Sequence, residues 1–124
     1  MRLLTLTLSL LSLLLSAAWG HDAIPDISPA SLHNNGFEGL ILDVRSAEEF
    51  AEGHVPGALN VPHSEIASHL AALGSIQKPV LVYCRSGRRA GIALEKLTNL
   101  GFEQLYHLDG DMQAWQSESL PVEQ

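Results

Sequence analysis

The sequence predicts one α/β domain: a mainly parallel β-sheet with helices on both faces. Three observations carry that reading. Strand-like and helix-like segments alternate from Ile27 to Gln116, the order expected of parallel strands joined by helical crossovers. Two runs of strand length, Gly39-Leu40-Ile41-Leu42-Asp43-Val44 and Pro79-Val80-Leu81-Val82-Tyr83, are apolar with no polar alternation, which suits strands covered on both sides. The chain has 124 residues, 46% hydrophobic and 17% charged. That is enough for one ordinary domain, and too apolar for a disordered chain.

The first twenty residues stand apart. Met1-Arg2 precedes Leu3 to Leu15, in which nine of thirteen residues are leucine, and Ser16-Ala17-Ala18-Trp19-Gly20 follows. A positive start, an apolar middle and small residues near a cut make a secretory signal. Cleavage after Gly20 is expected, with cleavage after Ala18 as the alternative. An uncleaved membrane anchor is the competing reading, but the apolar run is short for a span of about 20 residues. No stable membrane insertion is expected after cleavage. The mature domain would run from residue 21 to 124, and loss of Arg2 moves the formal charge from −7 to −8. No cysteine follows the run to take a lipid, so a periplasmic destination is expected.

Within that domain, His21 to Asp26 is a lead-in. Ile27 begins a short strand, with Ser28 as N-cap and Pro29 at the first position of a helical turn. Asn34-Asn35-Gly36 marks a turn. After the Gly39–Val44 strand, Ser46 and Glu49 have capping-box spacing and open a helix through about Glu52. Gly53-His54-Val55-Pro56-Gly57 is a loop, and Ala58-Leu59-Asn60-Val61 a short strand. A helix from Ser64 is expected to place Ile66, Ala67, Leu70 and Leu73 on one face, stopping at Gly74. The Pro79–Tyr83 strand ends at Cys84. A polar loop leads from it into a helix over Ala90 to Leu100, with Ile92, Leu94, Leu97 and Leu100 apolar. Leu105 to Leu108 is the last strand, Asp109-Gly110-Asp111 a turn and Met112 to Gln116 the last helix. The tail is polar.

The chemistry converges on Cys84. In open α/β sheets ligands bind at the carboxyl ends of strands, and the loop after Cys84 feeds a helix N-terminus with unpaired N–H groups. Gly87 allows a tight turn with amides pointing inward. The mature chain has six Lys and Arg residues, and Arg85, Arg88 and Arg89 are three of them. A solvated charge run is the plain explanation, and a buried inert thiol the plain one for Cys84. Their coincidence at a strand-to-helix turn favours a thiolate nucleophile in an anion pocket. Cysteine phosphatases and arsenate reductases place an arginine six positions after the cysteine. Here that position is Ala90, with Arg89 one residue early. The shorter loop makes a smaller pocket, which leaves attack on a sulfane sulfur.

Leu42-Asp43-Val44-Arg45, Glu48-Glu49-Phe50, the Gly53-His54-Val55-Pro56-Gly57-Ala58-Leu59-Asn60 stretch, the Cys84-Arg85-Ser86-Gly87-Arg88-Arg89 loop, and Leu108-Asp109-Gly110 with Trp115 occur in that order. Together with Ile27-Ser28-Pro29 they resemble the single-domain rhodaneses, thiosulfate sulfurtransferases of the small exported kind. The resemblance runs from about Ile27 to Trp115. It implies a five-stranded parallel sheet and a Cys84 that accepts sulfur. It also implies that Arg85, Ser86, Gly87, Arg88 and Arg89 cradle the persulfide and its anionic donor, with either Arg88 or Arg89 facing the pocket. His54 takes a structural hydrogen-bonding role by the same resemblance. Rhodaneses usually carry two glycines before the final helix where this chain has Gly110-Asp111. Asp111 is expected to cap that helix and to add negative charge near the pocket.

Other functions fit less well. The acidic balance argues against nucleic acid as a partner, and one cysteine excludes an intramolecular disulfide or a multi-cysteine zinc site. Among His21, His33, His54, His63, His69 and His107, no two are three or four residues apart, so no metal is expected. No organic cofactor is expected either. Arg45 reads as a structural ion pair or loop anchor, with Glu49 as candidate partner, and Phe102 and Trp115 as packing residues. The expected activity is transfer of sulfur from thiosulfate or a similar anion to cyanide or a thiol, by a monomer. The alternatives are a carrier loaded by a partner protein, a non-catalytic binding module and, disfavoured by the loop count, a phosphatase or arsenate reductase.

Overall fold

Five strands form one sheet in the order β1-β5-β4-β2-β3, and every pairing is parallel. The computed structural model describes residues 23–124, so the leucine-rich leader, its cleavage sites and His21 lie outside the described residues. The strands are β1 (Asp26–Ile27), β2 (Leu40–Asp43), β3 (Leu59–Asn60), β4 (Val80–Tyr83) and β5 (Leu105–Leu108). The helices are α1 (Pro29–Asn35), α2 (Ala47–Glu52), α3 (Leu70–Leu73), α4 (Arg88–Asn99) and α5 (Asp111–Ser117), and a 3-10 segment, His63–His69, leads into α3.

The most apolar strand takes the centre. All four β4 residues are buried, between β2 on one side and β5 on the other. Successive side chains of a strand point to opposite faces, and the core divides accordingly. Leu42, Val44, Val80, Val82 and Cys84 pack with Ala90, Ala93, Leu94 and Leu97 of α4 and with Ile66 and Leu73. Leu81 and Tyr83 pack on the opposite side with Leu32, Leu108, Met112 and Trp115. The same alternation that hides Val80 and Val82 under α4 therefore turns the Cys84 side chain toward the start of that helix.

Local signals set the helix starts. The Ser28 side chain accepts the Ser31 N–H, with Pro29 following it. At α2 the Glu49 N–H donates to Ser46 Oγ at 3.2 Å, and Glu49 Oε1 accepts the Ser46 N–H at 3.1 Å, completing the capping box.

Two helical readings change. The segment after Pro62 is 3-10 through His69 and only then α-helical. A 3-10 helix turns about 120° per residue instead of about 100°, so the expected face does not form. Ile66 and Leu73 are buried, whereas Ala67 and Leu70 are exposed. On α4, Ile92 is 43% exposed and lies outside the buried stripe of Ala90, Ala93, Leu94 and Leu97.

The polar tail is tied down. His54 and Glu123 exchange two backbone hydrogen bonds of 2.9 Å, and Trp115 Nε1 donates to the Pro121 carbonyl at 2.8 Å. The tail thereby fixes the Gly53–Gly57 loop. Within that loop His54 stacks on Phe50 at 3.6 Å, and its Nδ1 lies 2.8 Å from the Phe50 carbonyl.

Candidate active site

Cys84 follows β4 directly, and α4 begins four residues later at Arg88. The turn between them closes through Gly87, whose φ of 114° is a left-handed conformation open to glycine and costly for other residues. That turn aims two amides at the sulfur. The Gly87 N–H donates to Cys84 Sγ at 3.0 Å and the Ala90 N–H at 3.2 Å. The Cys84 and Arg85 carbonyls are claimed by α5. The Met112 N–H donates to the Cys84 carbonyl at 3.0 Å, and the Gln113 N–H to the Arg85 carbonyl at 3.1 Å. Oxygens that would repel an anion are thus held behind the loop. Cys84 is 1% exposed, and in so dry a setting each amide dipole acts more strongly on a charged sulfur than it would in water.

The predicted loop residues divide in two. Arg85 and Ser86 are exposed, and Arg85 lines a polar cleft of about 300 Å³ with Arg45, Glu49, Glu52, Met112 and Gln116. Arg88 is exposed as well. Arg89 is not aimed at the sulfur. It forms a two-pronged ion pair with Glu49, at 2.6 and 3.0 Å, which ties α4 to α2. The Arg89 guanidinium holds the Glu49 carboxyl down to about 2, against an opposing effect of burial and with help from Ser46.

That pair has a readable consequence. A carboxyl whose folded value is depressed adds stability above its unfolded value, and the gain is lost as pH falls toward the folded one. The window is 4.5 down to about 2. Glu49→Gln keeps a capping-box side chain but loses the charge. We expect it to be less stable at neutral pH by about 1 kcal/mol, allowing for partial solvent screening. Urea unfolding across pH should show the gap closing within that window.

Gly87 is tested separately. A Cβ there would lie 3.2 Å from Asp111 Oδ2, in addition to the unfavourable φ. Gly87→Ala should cost about 1–3 kcal/mol and displace an amide from Sγ. Chemical denaturation and the reaction rate of the thiol should both register it.

Behind the loop lies a buried polar network. Arg45 does not reach Glu49. Its Nε and Nη2 instead grip Asp43, at 3.0 and 2.7 Å, and Nη2 donates to the Gly53 carbonyl at 2.8 Å. The Tyr83 hydroxyl donates to Asp43 Oδ2 at 2.6 Å and accepts the Val55 N–H at 3.0 Å. Burial above all, then the Asp43 charge, raises the Tyr83 pKa and keeps that proton in place. Asn60 Nδ2 closes the network on the Asp43 and Arg45 carbonyls, both at 3.0 Å.

Asp111 is not the cap of the last helix. Gly110 occupies that position with φ 78°, and a Cβ there would collide with the Ala114 side chain. Asp111 is the first helical residue, with φ 55° and 1% exposure. Its Oδ1 accepts the Cys84 N–H at 3.0 Å and lies 3.0 Å from His107 Nε2. The hold of Asp111 on Cys84 is not visible in local sequence, because that contact joins positions 27 residues apart, and His107, four residues before Asp111, carries no signal of its own there. The only trace of that hold is an acidic residue directly after Gly110, where the resemblance leads to the expectation of a second glycine. Among the described residues, no cluster of His, Cys, Asp and Glu is arranged to hold a metal ion.

Comparison with known proteins covers the same span. Residues 28–118 match the family model for the rhodanese-like domain. The chain is 30% identical over 92 residues to thiosulfate sulfurtransferase GlpE of Stutzerimonas stutzeri, covering 74% of this chain and 82% of that protein. It is 33% identical over 75 residues to the protein of the same name from Shewanella oneidensis, covering 60% and 73% respectively. The crystal structure of a rhodanese-related protein from Thermoplasma volcanium superposes with a TM-score of 0.69 at 31% identity, over 80% of this chain and 97% of that one.

Proposed function

Because the chain belongs to the rhodanese-like family, we propose that it is a sulfurtransferase whose sulfur passes through a persulfide on Cys84. The observation that carries this is the pair of backbone N–H groups, from Gly87 and Ala90, aimed at Cys84 Sγ, with the Cys84 and Arg85 carbonyls held by α5.

The donor is thiosulfate or a similar small anion. The Cys84 thiolate attacks the sulfane sulfur, a new S–S bond forms, and the old one breaks with its electron pair leaving on sulfite. The terminal sulfur of the persulfide carries the negative charge, which the loop amides stabilise where it develops. Cyanide or a thiolate then attacks that terminal sulfur. The S–S bond to Cys84 breaks, the thiolate returns, and thiocyanate or a new persulfide departs. No metal or organic cofactor enters either step.

Arg85 at the cleft and the exposed Arg88 draw in the anionic donor. Arg89 contributes by fixing the start of α4 through Glu49. Ser86 and Gly87 supply the bend of the cradle. We assign the working protein as an exported, periplasmic monomer; the Leu3–Leu15 run supports the export, and the mass of the protein recovered from the periplasm tests it.

The activity test is a thiocyanate assay with thiosulfate and cyanide. Sustained thiocyanate formation supports the enzyme. No formation above the rate of a Cys84→Ala variant overturns it. Stoichiometric loading of Cys84 with slow turnover favours a carrier served by a partner protein.

A further inference from the structure

A chain of four groups runs from the protein surface to the nucleophile. His107 Nδ1 lies 3.1 Å from Oδ1 of the exposed Asp26, and Nε2 lies 3.0 and 3.1 Å from the two carboxylate oxygens of Asp111. Asp111 Oδ1 accepts the Cys84 backbone N–H at 3.0 Å. Both ring nitrogens therefore face carboxylates, which only accept, an arrangement that suits the doubly protonated ring.

From this geometry we propose that Asp111 and His107 are positioning residues for Cys84: they hold its backbone from behind, and the charge on His107 offsets the buried Asp111 carboxylate that would otherwise oppose an anionic sulfur. The position supports a purpose beyond packing. Asp111 holds a left-handed φ of 55°, where a glycine would be unstrained. Its Oδ2 would lie only 3.2 Å from a Cβ on Gly87, so the carboxylate sits directly against the loop that bends around Sγ.

The electrostatic sense follows from the charges in contact. The groups facing the imidazole are Asp111 from α5 and Asp26 from β1, while β4 presents the uncharged Val82 in register. On the Cys84 side stand Arg85 and Arg88, exposed, and Arg89, already paired with Glu49. While His107 is protonated, the Asp111–His107 pair has no net charge. When the ring loses its proton, Asp111 is left as a bare buried carboxylate beside the loop, and a thiolate or persulfide there is penalised. The Asp111 hydrogen bond raises the His107 pKa against the effect of burial, and Asp26 adds to the rise. The charged ring therefore persists to a higher pH than it would without those two carboxylates.

This inference rests on the reading of Cys84 as the nucleophile. Its test uses alkylation of Cys84 by iodoacetamide from pH 5 to 10, which reports the thiolate whatever the sulfur donor is. Failure of sulfur transfer would not disturb it. His107→Gln keeps a side-chain donor but not the charge, and should slow alkylation at neutral pH about tenfold, the equivalent of one pH unit in thiolate population. Asp111→Asn removes the opposing charge while leaving an acceptor for the Cys84 N–H. The double variant His107→Gln/Asp111→Asn should return to within about threefold of the parent, because the uncompensated charge is gone. A purely structural pair gives the reverse, a double variant at least as slow as the slower single one, and that overturns the proposal. Asp26→Asn alters only the exposed end and serves if the core variants do not fold. It should lower the His107 midpoint seen by NMR and shift the bend that loss of the His107 proton puts in the alkylation curve down with it. A bend that stays in place while the midpoint moves also overturns the proposal.

Discussion

Cys84→Ser is expected to abolish sulfur transfer and leave the fold in place. The serine hydroxyl is close to isosteric with the thiol and can accept the same two N–H groups, from Gly87 and Ala90. The surrounding core of Val82, Ala90 and Ala93 is therefore undisturbed. Thermal unfolding should shift by no more than about 5 °C, the equivalent of about 1 kcal/mol in a domain of this size. The chemistry, by contrast, has no substitute. A hydroxyl is not ionised near neutrality and cannot carry a sulfane sulfur through a labile S–S bond, and no second cysteine exists in the chain to take over. Thiocyanate formation should fall to the rate measured without protein. A variant that folds and retains activity would remove Cys84 from the mechanism.

Asp43→Ala is expected to give the largest loss of stability. The carboxylate is fully buried and holds a guanidinium that is 5% exposed together with the Tyr83 hydroxyl. Without it, a buried positive charge and a buried donor lose their partner. Breaking one side of such a pair costs about 3–5 kcal/mol, a large share of the 5–15 kcal/mol typical of a whole domain. The damage should spread, because Arg45 also holds the Gly53 carbonyl and Tyr83 the Val55 N–H. The Gly53–Gly57 loop would then lose its inner anchors and keep those of the C-terminal tail and of Phe50. Denaturation in urea measures the loss. The paired replacement Asp43→Leu/Arg45→Met should recover part of it, because two buried charges are then removed together. A loss below about 1 kcal/mol for Asp43→Ala would show that the network contributes little.

How far the sequence speaks depends on how local each cause is. The capping box at Ser46 and Glu49 and the Ser28-Pro29 start are contacts within three residues, and both form as expected. The β4 run is legible because a central parallel strand must be apolar on both faces, and Cys84 stands at its end for the same reason. Strands β1 and β3 are two residues each, too short for a periodic signal to fix their bounds. The helix after Pro62 misleads because its apolar spacing fits α geometry, while the backbone takes the tighter 3-10 turn first. Glu49 shows the limit for ion pairs. Its neighbour in sequence, Arg45, takes Asp43, and Glu49 instead meets Arg89, 40 residues away. Asp111 resembles a cap by its place before an apolar helix, yet its partners lie on β5 and at the end of β4. Only the packed sheet brings those together.

The most direct measurement is the intact mass of the protein after brief incubation with thiosulfate, followed by removal of the small molecules. The persulfide mechanism predicts one added sulfur atom, located on Cys84 by fragmentation, absent from Cys84→Ser and removed by cyanide with release of thiocyanate. An unchanged mass with the loop intact and the thiol reduced, or an added sulfur that survives in Cys84→Ser, would contradict it.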